Sequence, residues 1–338
     1  MPLSMLVIGA GATGGHFGAL ASCGGADVTF VQRGAHGAAM RDRGVMVCGP
    51  GLQLTARPRV VARPEDLGGG RFDVVLVAVK SADLRSVLPT AAACCSPNGA
   101  VVIGQNGIDA DAVAAQTVPA EKLVGAVLLI SAWVSEPGIV QVNGKGEMIV
   151  GAISLEADPI ARLVAAELAA CGLPALHTPQ LELARWTKLV FNNSWNVLTC
   201  LTGLTVGAVA RTPELRDLAA RAMSEVVNVA RASGVDLDDA MVDVCLRQGD
   251  DVGESRTSML QDRLAGRPLE VEALCGAIVK RGEHLGVATP VNHLLYALLL
   301  GVDRARPERG LDAARAASGP DAMKARPRQA TRRSPSGP

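Results

Sequence analysis

Hydrophobic positions follow two different rules along this chain. Before about residue 178, short apolar runs alternate with helical stretches and are separated by turn-forming Gly, Asn and Pro. The runs at 5–8, 27–31, 73–79 and 100–104 predict strands of a parallel sheet buried on both faces. Residues 44–57 read as a β-hairpin, and 122–131 and 138–150 as further strands, with Asn143-Gly144 as the turn of a second hairpin. A helix over 159–170 closes this part. Beyond it the apolar spacing is helical, over 181–203, 213–233, 237–247, 255–264, 268–285 and 290–302. The predicted fold is α/β: an N-terminal doubly wound sheet over 1–178, an all-α domain over 179–310 and a tail over 311–338. A cleft between the two domains is the natural place for a ligand.

The stretch over 181–203 organises the rest. It lacks Pro, and Gly appears only at Gly203. Lys188, Asn192 and Asn196 are four apart, so each is turned only about 40° from the last on a helix. Their polar heads form one stripe. Trp186, Leu189, Val190, Phe191, Trp195, Val197 and Leu198 surround it, enough apolar surface to bury the helix on most sides. An ammonium among such neighbours is costly unless something meets it. A small anionic or carbonyl-bearing molecule would. The plain alternative is a solvated Lys with two surface Asn, against which the flanking Trp and Phe argue.

The first strand runs into Gly9-Ala10-Gly11-Ala12-Thr13-Gly14 and then into a helix. Strand, Gly-x-Gly-x-x-Gly and helix in that order form a dinucleotide-binding, Rossmann-type turn. Gly9 permits the tight turn, Gly11 lets the backbone approach a pyrophosphate, and Gly14 lets the helix pack on the strand. The second strand ends in Gln32-Arg33-Gly34, where an NAD site would carry an acid. Arg33 suits a 2′-phosphate instead, and so NADP, unless it is simply solvated. Lys80 and Asn106 follow strands at the same rim. Lys80 is placed for a phosphate, and Asn106 for the nicotinamide end. In the helical half, Ser258 opens one helix, and Pro268 and Glu270 are expected in the first turn of the next, where the macrodipole favours a carboxylate. Glu272 is the competing acid.

Charge narrows the partners. The chain balances at 33 basic and 33 acidic residues. Residues 315–338 hold six of the bases against Asp321, leaving +5 on the tail and −5 on the body. A body of that sign is a poor nucleic-acid binder, and the Pro- and Arg-rich tail reads as disordered. No apolar run is long enough for a membrane span. Eight cysteines without CxxC spacing, and no leader ahead of the first strand, fit a reducing cytoplasm. The five His lack metal-ligand spacing, so no metal is expected.

Several segments together resemble the ketopantoate reductases (2-dehydropantoate 2-reductases). They are LVIGAGATGG, VTFVQRGAH, DVVLVAVKSAD, the QNG at 105–107, RWTKLVFNNSWN, SMLQDRLAGRPLEVE and HLGVATPVN, in the family's order across about residues 5–302. The resemblance implies that Lys188 is the proton donor and that Glu270 closes on cofactor and substrate. It implies that Asn192, Asn196 and Ser258 bind substrate, and that Arg33 and Lys80 read the 2′-phosphate. Asn106 would be shared between nicotinamide and substrate, and Ser131 would be a further cofactor contact. The implied reaction is NADPH-dependent reduction of 2-dehydropantoate to (R)-pantoate. Helical domains of this kind often pair, so a homodimer is expected. Three positions depart from the family pattern: Val197 replaces a common Pro, Val206 an Asn found in some members, and Leu269 a usual Thr. They motivate a second reading, reduction of another bulky 2-keto acid. A third is a cofactor-binding regulator without catalysis. The Ser-Gly-Gly loop of β-hydroxyacid dehydrogenases is absent.

Overall fold

A computed structural model describes residues 1–306; the basic tail expected over 311–338 lies outside them. Twelve strands are formed: β1 (Ser4–Ile8), β2 (Asp27–Val31), β3 (Val45–Gly49), β4 (Leu52–Ala56), β5 (Arg59–Val61), β6 (Phe72–Val77), β7 (Cys95–Ile103), β8 (Leu123–Leu129), β9 (Ala132–Glu136), β10 (Ile139–Val142), β11 (Glu147–Ala152) and β12 (Ala175–His177). The helices are α1 (Ala12–Cys23), α2 (Gly34–Arg43), α3 (Leu84–Cys94), α4 (Ala110–Ala114), α5 (Asp158–Ala170), α6 (Leu181–Thr202), α7 (Val206–Arg211), α8 (Pro213–Ala232), α9 (Ala240–Val252), α10 (Ser258–Leu264), α11 (Ala277–Leu285) and α12 (Pro290–Arg304).

Eight strands make one sheet in the order β12-β11-β8-β7-β6-β1-β2-β5. It is parallel except where β11 runs against β8. Its central strands are buried on both faces, and alternate residues serve different cores. Met5, Val7, Val74, Leu76, Ala100 and Val102 join one core with Phe17 of α1 and Leu168 of α5. Leu6, Ile8, Val75, Val77, Val101 and Ile103 join another with Leu84 and Leu88 of α3. This is why these strands read as unbroken apolar runs.

A second, four-stranded sheet, β4-β3-β10-β9, packs beside α1. Here the structure corrects an expectation. Residues 44–57 do form an antiparallel hairpin, β3 with β4, but Asn143-Gly144 does not close one. β10 pairs with β9 and β3, whereas β11 pairs with β8 and β12. The turn carries the chain from the small sheet to the large one, because β11 buries Met148 and Val150 in the large-sheet core. The short strands β5 and β12 and the helix α7 carry too few residues to have a period, and were not anticipated.

Past residue 178 the described residues are helical, and α6 is the hub of their core. Trp186, Leu189, Val190, Trp195, Val197 and Leu198 of α6 are buried with Met223 and Val226 of α8 and Ile278 of α11. Two boundaries differ from the periodicity. Helix α9 starts at Ala240 because the Asp238 carboxylate accepts the Ala240 amide at 2.8 Å, an alternative to helical bonding. More consequentially, Pro268 and Glu270 do not open a helix. They lie in a loop outside helix and strand, and the chain enters α11 through a π-helical turn at Glu272–Gly276. The Leu269 amide is taken by Asp303 at 3.0 Å, and the Glu270 carboxylate is engaged elsewhere. Cys171, Cys200 and Cys275 are buried, free thiols, small hydrophobes in use.

Candidate active site

A cleft of about 1730 Å³ runs between the C-terminal ends of the parallel strands and the helices. It is lined from the sheet side by Gly9, Gly11, Ala12, Thr13, Arg33, Lys80, Asn106 and Ser131. From the helical side Lys188, Asn192, Asn196, Ser258 and Glu270 face it. Ala10 and Gly14 stand behind this lining, both buried. Sequence positions up to 261 residues apart thus share one groove, at the strand ends where a doubly wound sheet binds ligands.

The glycine turn has the shape a dinucleotide requires. Gly9 sits at φ +93°, a conformation costly for any other residue. A Cβ on Gly14 would meet the Gly9 carbonyl at 2.4 Å, whereas one on Gly11 would meet nothing within 4 Å. Gly9 and Gly14 are therefore structural, and Gly11 leaves open space in front of the turn where a pyrophosphate can approach. The chain fits a bound dinucleotide at this point.

At the opposite end, α6 delivers Lys188 into a polar network. Its ammonium donates to Asn106 Oδ1 and to the Leu128 carbonyl, both at 2.8 Å. Burial pulls its pKa down to about 8; the Glu270 carboxylate opposes this, and Arg185 on the same helix adds to it. Asn106 spends its other end on Glu270, donating from Nδ2 to Oε2 at 3.1 Å. The loop that holds Asn106 is fixed on both sides. Gln105 donates to the carbonyls of Val77 and Val79. Gly107, at φ +89°, passes so close to Ala273 that a Cβ would meet its carbonyl at 2.3 Å.

Glu270 has a helix dipole after all, but not its own. Its Oε1 accepts from the Ser81 amide at 3.2 Å and the Ser81 hydroxyl at 3.0 Å. These lie at the start of the 3₁₀ turn Ser81–Asp83 that leads into α3. Burial alone would raise the Glu270 pKa, but Lys80, Asn106 and Ser81 together outweigh it and hold the group below its usual range. Glu272, the competing acid, points away from the cleft and pairs with Lys280 and the Tyr296 hydroxyl.

Lys80 stands at the strand rim, as expected, but its ammonium is engaged. It bonds Asp262 and lies 3.8 Å from Glu270. Asp262 in turn accepts from Arg267 at 2.7 Å. Lys80 therefore ties the sheet to the helical half, and its charge is balanced there by two carboxylates. Asp262 and Arg267, both cleft-lining, were given no role from sequence. The buried acid inside SMLQD was the available signal, but a lone Asp in an amphipathic helix carries none of its partners with it.

Asn196 Nδ2 lies 3.5 Å from Ser258 Oγ, across the gap between α6 and α10. Thr257 caps α10 and also meets Thr199 of α6 at 2.6 Å, which fixes Ser258 against the Lys helix. Behind the site, Arg185 and Asp111 form a buried ion pair at 2.7 Å. Burial pushes the Asp111 pKa up to about 6, against the pull of Arg185. Of the three departures from the family pattern, Val206 lines the cleft. Val197 is fully buried in the helical core, and Leu269 packs against that core. Among the described residues no cluster of His, Cys, Asp or Glu could hold a metal, and no helix is long and apolar enough to cross a membrane.

Residues 5–154 match the family model of ketopantoate reductase PanE/ApbA, and residues 180–303 match its C-terminal model. The 2-dehydropantoate 2-reductase of Mesorhizobium japonicum is 31% identical, over 89% of this chain and 99% of that one. That of Archaeoglobus fulgidus is 32% identical, over 88% and 97%. The crystal structure of 2-dehydropantoate 2-reductase from Geobacter metallireducens superposes with a TM-score of 0.82 at 30% identity, over 88% of this chain and 99% of that one. The two matched models, these relatives and the shared sheet-and-helix architecture agree. The chain belongs to the ketopantoate reductase family, nicotinamide-dependent oxidoreductases that act on a keto group.

Proposed function

We propose that this protein reduces 2-dehydropantoate to (R)-pantoate with NADPH, a step towards pantothenate and coenzyme A. The observation that carries the reading is the half-buried Lys188 ammonium, hydrogen-bonded to Asn106 at 2.8 Å inside the cleft. A nicotinamide bound in the cleft would supply the hydride for the 2-keto carbon. As negative charge grows on the keto oxygen, Lys188 stabilises it and gives up the proton, electrostatic and general-acid catalysis by one group. A pKa near 8 suits a donor that must be protonated near neutral pH and release its proton readily.

Asn192, Asn196 and Ser258 orient the carboxylate and hydroxyl of the substrate. Asn106 is shared between substrate and the nicotinamide amide. Glu270 anchors both and keeps Lys188 charged. The 9–14 turn takes the pyrophosphate, Ser131 adds a contact, and Arg33 takes the 2′-phosphate, with Lys80 at the same rim. A cytoplasmic location goes with this reading, supported by eight free cysteines. So does a homodimer, supported by Leu294 and Leu298, exposed one turn apart on α12.

A second reading, reduction of another bulky 2-keto acid, is favoured by Val206, an apolar residue in the cleft wall. One assay separates them: initial rates of NADPH oxidation with 2-dehydropantoate, with NADH and pyruvate-type keto acids run alongside. Fast turnover with 2-dehydropantoate and NADPH is expected. Turnover confined to another keto acid would transfer the assignment to the second reading. NADPH binding with no turnover on any keto acid would leave only a regulatory role.

A further inference from the structure

The adenosine end of the cleft carries a second arginine. Strands β2 and β5 are parallel neighbours, with Val31 opposite Val61, and the Gln32 amide donates to the Val61 carbonyl at 2.9 Å. The paired strands end there; continued two residues further, the same register would set Arg63 beside Arg33. Adjacent strands lie about 4.8 Å apart. Both arginines keep extended backbones, at φ −93°, ψ 172° for Arg33 and φ −136°, ψ 150° for Arg63. Two steps along an extended chain return to the same face. Val31 and Val61 pack on one core, so the two guanidinium arms leave the sheet on a common side. Both line the cleft.

Each arm is positioned by its own chain. Pro64 follows Arg63 and excludes helical backbone at it, which keeps the arginine at the strand rim. Among the described residues the only acid within 4 Å of its guanidinium is Asp66, 3.7 Å away with 42% of its side chain exposed. Such an exposed pair contributes about 0–1 kcal/mol, so a phosphate can replace it. Glu65 also borders this part of the cleft and His36 lies on the Arg33 side. Lys80, at the same rim, serves less well here, because Asp262 and Glu270 balance its charge.

We infer that Arg63 is the second arm of an arginine pair that reads the 2′-phosphate of a 2′-phosphorylated adenosine. The inference rests on the NADP reading above and extends it to a residue outside the glycine turn and the β2 end. Two guanidinium groups can flank one phosphate and share its oxygens, each by charge-assisted hydrogen bonds.

The test uses binding, not turnover. Isothermal titration of the full chain with adenosine 2′,5′-bisphosphate and with AMP compares ligands that differ only in the 2′-phosphate. The native protein is expected to prefer the bisphosphate. Arg63→Ala should weaken bisphosphate binding about tenfold, the worth of one charge-assisted contact, and leave AMP within about twofold. Arg63→Lys should recover part of the loss. Arg63 is exposed, so an unchanged unfolding midpoint is expected for both variants. Equal weakening of the two ligands would overturn the proposal in favour of an adenine or structural contact. An unchanged preference in Arg63→Ala, with Arg33→Ala abolishing it, would overturn the pair while sparing the NADP reading. A native protein that binds both ligands equally would overturn both.

Discussion

The two ends of the cleft hold charge in opposite ways. At the proposed nicotinamide end Lys188 and Glu270 are both bonded to Asn106 inside the protein, and burial lowers the lysine pKa to about 8. At the proposed adenosine end Arg33 and Arg63 stand in solvent, the second with one weak partner, Asp66, at 3.7 Å. Chemistry needs the first arrangement: a desolvated ammonium interacts strongly with a developing oxyanion and exchanges its proton near neutral pH. Phosphate recognition needs the second, since a guanidinium stays charged at any accessible pH and has only to exchange water for phosphate. On the proposed reading, burial rather than residue type separates the catalytic cation from the binding ones.

The comparison breaks first at Lys188. Lys188→Ala should cut kcat by about 10²- to 10⁴-fold, the range of a lost general acid, with NADPH affinity measured by fluorescence titration within about twofold. Near-normal turnover would remove Lys188 from the chemistry. The support beneath it is next. Arg185→Leu leaves Asp111 buried without its ion-pair partner, at a cost of about 3–5 kcal/mol, read from urea unfolding.

Titration sharpens the same contrast. The reductive kcat/KM should fall as pH rises through about 8, the point at which Lys188 loses its proton. Glu270 raises that pKa, so Glu270→Gln must move the falling limb to lower pH, with kcat/KM reduced about tenfold or more. A limb that moves upward would contradict the arrangement. The smallest effect belongs outside the cleft. Glu272→Ala removes only surface partners, Lys280 and Tyr296, and should leave kcat/KM within about twofold and stability within about 0.5 kcal/mol.

Much of this was legible in the chain itself. The glycine turn, the doubly apolar strands and the uninterrupted run of α6 are local patterns, fixed by sterics and periodicity over a few residues. The four-residue spacing of Lys188, Asn192 and Asn196 brings all three to one wall of the cleft, since helix geometry admits no other outcome. What failed to show were long-range choices. Asn143-Gly144 has the residues of a hairpin turn, yet the strands it joins belong to different sheets, a matter of which core buries Met148 and Val150. Glu270 has the position of a helix-opening acid, but its carboxylate reaches Ser81, 189 residues away, and the helix starts later.

The same division runs through the charges. Sequence alone determined that Arg33 and Lys80 follow the ends of strands and that Lys188 lies on one face of a long helix with Asn192 and Asn196, because these follow from local pattern. Only the tertiary structure decided which charge meets which: Lys80 with Asp262, Glu270 with Ser81 and Asn106, Arg185 with Asp111. Pairing, and the desolvation that moves a pKa, depend on which distant segments share a low-dielectric space, and no local pattern encodes that.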